Sequence, residues 1–229
     1  MVKGGGHGNY RNLVLAPASV QEMCDFTRKA FELAQKWRMV VFVLADGVLG
    51  QMIEPLRFPE ASVAPETDTS WAVDGTAVTR PNVVTSIFLN FDQQEAFNRQ
   101  LQEKYAAVEA AEQDSEDYRM EDADIGLVAY GISARIAQGA VDAARAEGIR
   151  AGLFRPKTLY PFPKDALNAF VAKGGKQLVS VEMSNGQMRD DIKLAVECRC
   201  PVHLANRLGG NLITRDEVLA KVREAAKKA

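Results

Sequence analysis

Alternation of short, β-branched apolar runs with amphipathic helical stretches constrains this chain most. Residues 12–16 read Asn-Leu-Val-Leu-Ala, a short strand that Pro17 stops because proline cannot donate to a ladder. Ser19 and Glu22 have the spacing of a capping box, and Met23, Phe26, Ala30, Phe31, Ala34 and Trp37 recur at helical spacing behind it. Residues 39–45, Met-Val-Val-Phe-Val-Leu-Ala, are continuously apolar, as suits a parallel strand buried on both faces. The three segments make a β-α-β unit, whose crossover is right-handed and whose ligands bind outside the carboxyl ends of its strands. Those ends are Ala16-Pro17-Ala18 and the stretch from Asp46 to Gln51.

Beyond Glu54 the periodicity disappears and prolines gather at 55, 59, 65 and 81, which describes a linker or arm. From Asp92 to Arg119 a polar run carries Phe97, Leu101, Tyr105 and Val108 on one stripe and predicts a solvent-facing helix. A second α/β pattern follows. Strands are expected at 125–130, 151–154, 177–182 and 202–204, with helices at 133–147, 163–172, 186–197 and from 216 to the end. Such alternation gives a mostly parallel sheet with helices on both faces. The expected division is 1–58, then an arm with a polar helix over 59–121, then 122–229.

A formal net charge of -2 gives no basic footprint, which argues against nucleic acid or an anionic membrane as partner. The longest apolar run falls far short of the roughly 20 residues that span a bilayer. Three cysteines cannot all pair, and the first residues lack an apolar signal segment, so a reducing cytoplasm is the expected location.

The chain opens on Gly4-Gly5-Gly6-His7-Gly8, loop chemistry with no element before it, so an upstream segment is expected, with a flexible tail as the alternative. His7 reads either as a functional residue or as a solvated loop histidine, and His203 as a packed or edge residue of the last strand. Asp46, Gln51 and Glu54 follow a buried strand and are placed to meet a ligand or partner, although Asp46-Gly47 is also a turn signal. Gly131-Ile132-Ser133 joins a strand to a helix in the geometry that binds anions, with Ser133 readable as an N-cap. Arg155-Pro156 and Thr158 end another strand. Cys198 and Cys200 stand too close for a zinc pair, and no nucleophilic triad emerges from the spacing. No complete catalytic set and no metal site is expected.

Taken in order, the segments 3–10 (Lys-Gly-Gly-Gly-His-Gly-Asn-Tyr), 14–23 (Val-Leu-Ala-Pro-Ala-Ser-Val-Gln-Glu-Met) and 45–52 (Ala-Asp-Gly-Val-Leu-Gly-Gln-Met) resemble the α subunit of 2-oxoacid:ferredoxin oxidoreductases. Segments 128–137, 152–163, 181–188 and 207–210 continue the likeness in the same order. The 2-oxoisovalerate type is nearest, with the 2-oxoglutarate type a neighbour. The resemblance implies an α/β fold: part of a thiamine diphosphate pyrimidine-binding domain, then a transketolase C-terminal-like domain. It also implies oxidative decarboxylation of a 2-oxoacid to an acyl-CoA with reduction of ferredoxin. Thiamine diphosphate and Mg²⁺ would be held mainly by a partner subunit and iron-sulfur clusters by others, with none bound by this chain alone.

The family's Tyr-Pro-Ile-Thr-Pro stretch, and the glutamate that contacts the cofactor's aminopyrimidine, have no counterpart here, so the chain alone is expected to be inactive. Gly5, Gly6, His7 and Gly8 are then the candidates for the cofactor and substrate edge. Asp46, Gln51, Glu54, Gly131, Ser133 and Arg155 are the candidates for contacts with other subunits, the second domain being expected to supply such contacts rather than chemistry. The competing expectation is a non-catalytic assembly or binding module of the same fold.

Overall fold

Five strands from the second half of the chain pair in the order β3-β5-β4-β7-β8, and three short strands form a separate sheet in the order β2-β1-β6. The structure, a computed structural model, describes residues 2–6, 8–58 and 68–228. In chain order the elements are β1 (Leu13–Leu15), α1 (Val20–Trp37), β2 (Val41–Val43), α2 (Phe91–Ala111), β3 (Ser115–Tyr118), β4 (Ile125–Val128) and α3 (Gly131–Ala146). They continue with β5 (Ala151–Pro156), β6 (Thr158–Tyr160), α4 (Lys164–Ala172), β7 (Gln177–Glu182), α5 (Gln187–Ala195), β8 (Val202–Asn206) and α6 (Arg215–Ala226).

The larger sheet is built by alternation. Leu127, Leu153 and Val179 point to the face covered by α3 and α6, while their neighbours Val128, Phe154 and Leu178 point to the face covered by α4 and α5. Four of its strands are parallel, and only β3 runs antiparallel, along β5. A mostly parallel sheet with helices on both faces is therefore the observed architecture. Since β4 pairs with β5 on one side and β7 on the other, the strand order reverses at β4. The carboxyl ends of β4 and β7 thus flank a topological switch point.

In the smaller sheet β1 is fully buried and parallel to β2, as the β-α-β reading requires. Its core comprises Leu13, Leu15, Phe26, Leu33 and, from α2, Val108. The expected burial of β2 on both faces is not observed, because Phe42 is 37% exposed where α1 covers only the opposite face. Two further differences follow from local chemistry. The polar helix ends at Ala111, and Ser115–Tyr118, read as its continuation, instead joins the larger sheet. Thr158–Tyr160 was not anticipated as a strand, yet one residue after β5 it pairs antiparallel with β1. Three residues give too little alternation to register as a period, and the partner is over a hundred positions away.

The capping box on α1 is half formed. Ser19 Oγ accepts from the Glu22 amide at 3.1 Å, but the Glu22 carboxylate accepts from the Ala18 amide at 2.8 Å rather than from Ser19. Arg155 holds that carboxylate through two further bonds, which draws it one residue upstream. At the other end of the chain, Thr214 and Glu217 complete the reciprocal box on α6.

Candidate functional site

The switch-point crevice of the larger sheet, about 200 Å³, is lined by Tyr130 and Ser133 after β4, and by Glu182, Met183 and Ser184 at the end of β7. Its remaining wall comes from the other sheet, as Leu44, Ala45 and Asp46 at the carboxyl end of β2. In an open α/β sheet a ligand would occupy this position. Here the first half of the chain fills much of it.

Asp46 does so through backbone donors. Its Oδ1 accepts from the amides of Val48 and Leu49 at 3.1 and 2.9 Å, closing its own turn, and its Oδ2 accepts from the Ile132 amide at 2.8 Å. Helix α3 has no cap of its own, since Tyr130 at its N-cap makes no side-chain bond. A carboxylate from 86 residues away therefore satisfies its first turn, where the helix dipole also favours negative charge. Ser133, expected as the N-cap, lies inside the helix and is buried, because Gly131 at φ +60 lets the helix begin two residues earlier. Replacing Asp46 with Asn exchanges one acceptor for a donor opposed to these amides and is expected to cost about 1–3 kcal/mol, measured by chemical denaturation.

Glu182 does the same for α5. This buried carboxylate accepts from Ser180 Oγ at 2.7 Å, from Ser184 Oγ, and from the amides of Met188 and Arg189 at 3.1 and 3.0 Å. Burial first, then the charges of Glu182, Asp46 and Asp191, push the Tyr130 phenol up, so it remains a neutral donor. The amides that would otherwise cradle phosphate are thus occupied by two carboxylates. The diphosphate and metal end of thiamine diphosphate does not fit this crevice, and no step through that group is assigned to it.

The sequence candidates gather beside it. Glu54 accepts from the Val20 amide at 3.0 Å and pairs with Arg135 of α3 at 2.6 Å, and both side chains, with Glu22, Glu116 and Arg155, line a cleft of about 340 Å³. Its Arg135 and Val20 bonds hold the Glu54 carboxyl below its ordinary value, the amide contributing most. Arg155, 8% exposed, binds Glu22 at 2.6 and 2.8 Å and Glu116 at 2.5 Å. Of the residues expected to meet other subunits, five have their described surroundings inside this chain. Asp46, Glu54 and Arg155 bind across the two halves of one chain, Gly131 lies against the Asp46 carboxylate, and Ser133 is buried. Gln51 stands apart, exposed in a single 3₁₀ turn at Leu49–Gln51. Arg135, in the second turn of α3 and inside the segment 128–137, and Glu116, in a strand not expected from the sequence, were not among the candidates.

The Arg155 hydrogen bond also holds the Glu116 carboxyl below its ordinary value of 4.5, against burial and with help from the charges of Arg155 and Lys157. A carboxylate depressed in the folded state contributes stability that is complete above its unfolded value and is lost as pH falls through the folded one. Melting temperature is expected to fall between about pH 5 and pH 3, and to fall less over that window in Glu116→Gln.

The glycine loop lies elsewhere, at the amino end of β1. Asn12 donates its amide to Lys3 O at 3.0 Å and its side chain to Val2 O at 2.9 Å, while Lys3 pairs with Asp191 of α5 at 2.7 Å. Gly5, Gly6 and Gly8 have positive φ, and a Cβ on Gly5 would come within 2.4 Å of the Tyr10 hydroxyl oxygen. His7 lies outside the described residues. His203 is half-buried on edge strand β8, its Nε2 2.8 Å from Gln177 Oε1. Among the described residues, no three His, Cys, Asp or Glu side chains stand together as a metal-holding group, and no helix is long and apolar enough to cross a membrane.

Fold and crevice together define a two-part α/β chain whose second sheet receives the strand end of the first at its switch point. Two family models match it: "Pyruvate flavodoxin/ferredoxin oxidoreductase, thiamine diP-bdg" over residues 7–119, and "Pyruvate:ferredoxin oxidoreductase core domain II" over residues 123–218. Ketoisovalerate oxidoreductase subunit VorB of Methanothermobacter marburgensis is 62% identical over 226 residues, covering 99% of this chain and 64% of that subunit. The VorB subunit of Methanothermobacter thermautotrophicus is 61% identical with the same coverage. The 2-oxoglutarate synthase subunit KorA of Methanothermobacter marburgensis is 30% identical over 95% of this chain and 65% of its own length. The chain belongs to the 2-oxoacid:ferredoxin oxidoreductase family. It spans 64% of the VorB relatives' length. A solved 2-oxoglutarate:ferredoxin oxidoreductase from Magnetococcus marinus has the same fold, with a TM-score of 0.71 and 21% identity over 97% of this chain and 43% of that one.

Proposed function

We propose that the chain serves as part of the α subunit of a thiamine diphosphate-dependent 2-oxoacid:ferredoxin oxidoreductase, with 2-oxoisovalerate as substrate. The observation that carries this is the 62% identity with a ketoisovalerate oxidoreductase subunit across nearly the whole chain. In this reading residues 1–58 belong to the pyrimidine-binding domain, 59–121 form an arm and 122–229 a transketolase C-terminal-like domain. Thiamine diphosphate and Mg²⁺ reside mainly on a partner subunit, iron-sulfur clusters on another, and the assembly works in the cytoplasm. The cofactor supplies the decarboxylation chemistry when bound. Within this chain, the Gly5 to Gly8 loop with His7 faces the cofactor and substrate edge, where small residues leave backbone free for close approach.

The test is reconstitution with the thiamine diphosphate-binding and iron-sulfur subunits, followed by coenzyme A-dependent reduction of ferredoxin. Turnover is expected to be faster with 2-oxoisovalerate than with 2-oxoglutarate, and absent from the isolated chain. Preference for 2-oxoglutarate would overturn the substrate assignment. Assembly without turnover for either acid would favour an assembly module of the same fold. In the reconstituted complex Gly6→Ala is expected to lower turnover severalfold while leaving assembly intact, because alanine resists a φ of 144.

A further inference from the structure

Asp46 and Glu182 face the switch-point crevice without a cation beside them. Among the described residues no Lys, Arg or His nitrogen lies within 4.0 Å of either carboxylate, since Lys3 pairs with Asp191 at 2.7 Å and Arg189 with Asp190 at 3.4 Å. Their hydrogen-bond partners are neutral hydroxyls and amides. The amino ends of α3 and α5 offset about half a charge each, which leaves about one negative charge on the crevice. Burial, then the charges of Glu182 and Asp46, raise the Tyr130 phenol, so this field reaches its hydroxyl. A buried charge is ordinarily paired with an opposite one or with a metal ion.

Oxygen lone pairs open to the crevice complete the picture. A carboxylate offers about four acceptor sites. Glu182 fills two on each oxygen, whereas Asp46 fills two on Oδ1 and one on Oδ2, keeping a lone pair of Oδ2 free. Ser184 gives its proton to Glu182, so its oxygen presents lone pairs only. Ser133 is 3% exposed, yet among the described residues neither its Oγ nor Tyr130 Oη has a hydrogen-bond partner. Since no sealed side-chain oxygen among those residues lacks a partner, the Ser133 hydroxyl opens on the crevice it lines.

We propose that this crevice binds one small monovalent cation of the sodium, potassium or ammonium class, held by Asp46 Oδ2 and the hydroxyl oxygens of Tyr130, Ser133 and Ser184. One positive charge balances the crevice, and an all-oxygen set suits a hard ion. Asp46 comes from the first half of the chain and the hydroxyls from the second, so the bound ion ties the halves together and stabilises the fold by mass action. The site stands independently of the family reading. The test is to melt the full chain while tetramethylammonium chloride is replaced stepwise by KCl, NaCl or NH₄Cl at one ionic strength, where screening is common to all. At least one small ion is expected to raise the melting temperature saturably over tetramethylammonium, whose methyl groups deny oxygen contact. Tyr130→Phe and Ser133→Ala should each raise the half-saturating concentration about tenfold, the effect of losing one oxygen from a charge. Ser86→Ala, exposed in the arm, should leave it unchanged. In tetramethylammonium chloride neither crevice variant should melt lower than wild type, since each removes a hydroxyl without a partner. Equal melting of the wild-type chain in all four salts would overturn the proposal, as would the same ion response in wild type and both crevice variants. Tighter saturation by MgCl₂ or CaCl₂, lost in those variants, would overturn the monovalent assignment.

Discussion

Arg155→Met is expected to lower the free energy of unfolding by about 3–5 kcal/mol, the characteristic cost of removing one partner from a buried ion pair. Methionine fills much of the volume of the arginine stem but leaves the Glu22 carboxylate, 21% exposed as a side chain, with the Ala18 amide and without its two arginine donors. The bond to Glu116 adds little to the loss, because that carboxylate is 54% exposed and water replaces the arginine there. Adding Glu22→Gln to Arg155→Met should recover part of the loss, since the stranded charge is removed with its partner. A double variant as unstable as the sum of the two single ones would mean that the pair does not couple.

Gly131→Ala is expected to cost about 2–4 kcal/mol, from two sources that can be separated. A residue with a Cβ pays about 1–2 kcal/mol to hold the left-handed backbone that Gly131 adopts at φ +60. In addition, the new Cβ would sit 2.7 Å from Asp46 Oδ2, so the carboxylate must leave the Ile132 amide that it caps. Gly148, at φ +80 with nothing within 4 Å of a built Cβ, isolates the first source. Gly148→Ala should therefore be the milder change by about 1–2 kcal/mol, and when Gly131→Ala is made in an Asp46→Ala background the difference should shrink towards zero.

The strands and helices of both halves were readable because period and capping chemistry are local. Residues 177–182 alternate between two buried faces and form β7 over that span, and the apolar run around Val41 marks β2. What escaped was long-range. Thr158–Tyr160 is a strand only because β1 offers it an edge, and Ser115–Tyr118 only because β5 does. The site divides in the same way. Asp46, Glu54, Gly131 and Arg155 were recognisable as polar or glycine residues at strand ends and helix starts, positions where ligands meet α/β sheets. Nothing in their spacing says that they meet one another, because the two halves dock through contacts separated by 81 to 133 residues. Glu22 illustrates the overlap, since the residue that signals a capping box locally is the one Arg155 claims from β5.

These contacts make one statement about the molecule: the crevice where such sheets bind ligands is used to lock two α/β units into a single folding unit. Both tryptophans, Trp37 and Trp71, belong to the first part, whereas most helix and strand residues belong to the second. Equilibrium unfolding in guanidinium followed by tryptophan fluorescence and by far-ultraviolet circular dichroism therefore tests the lock. The two probes are expected to trace one coincident transition in the wild-type chain and two separated ones in Arg155→Met. Separated transitions in the wild-type chain would contradict the account.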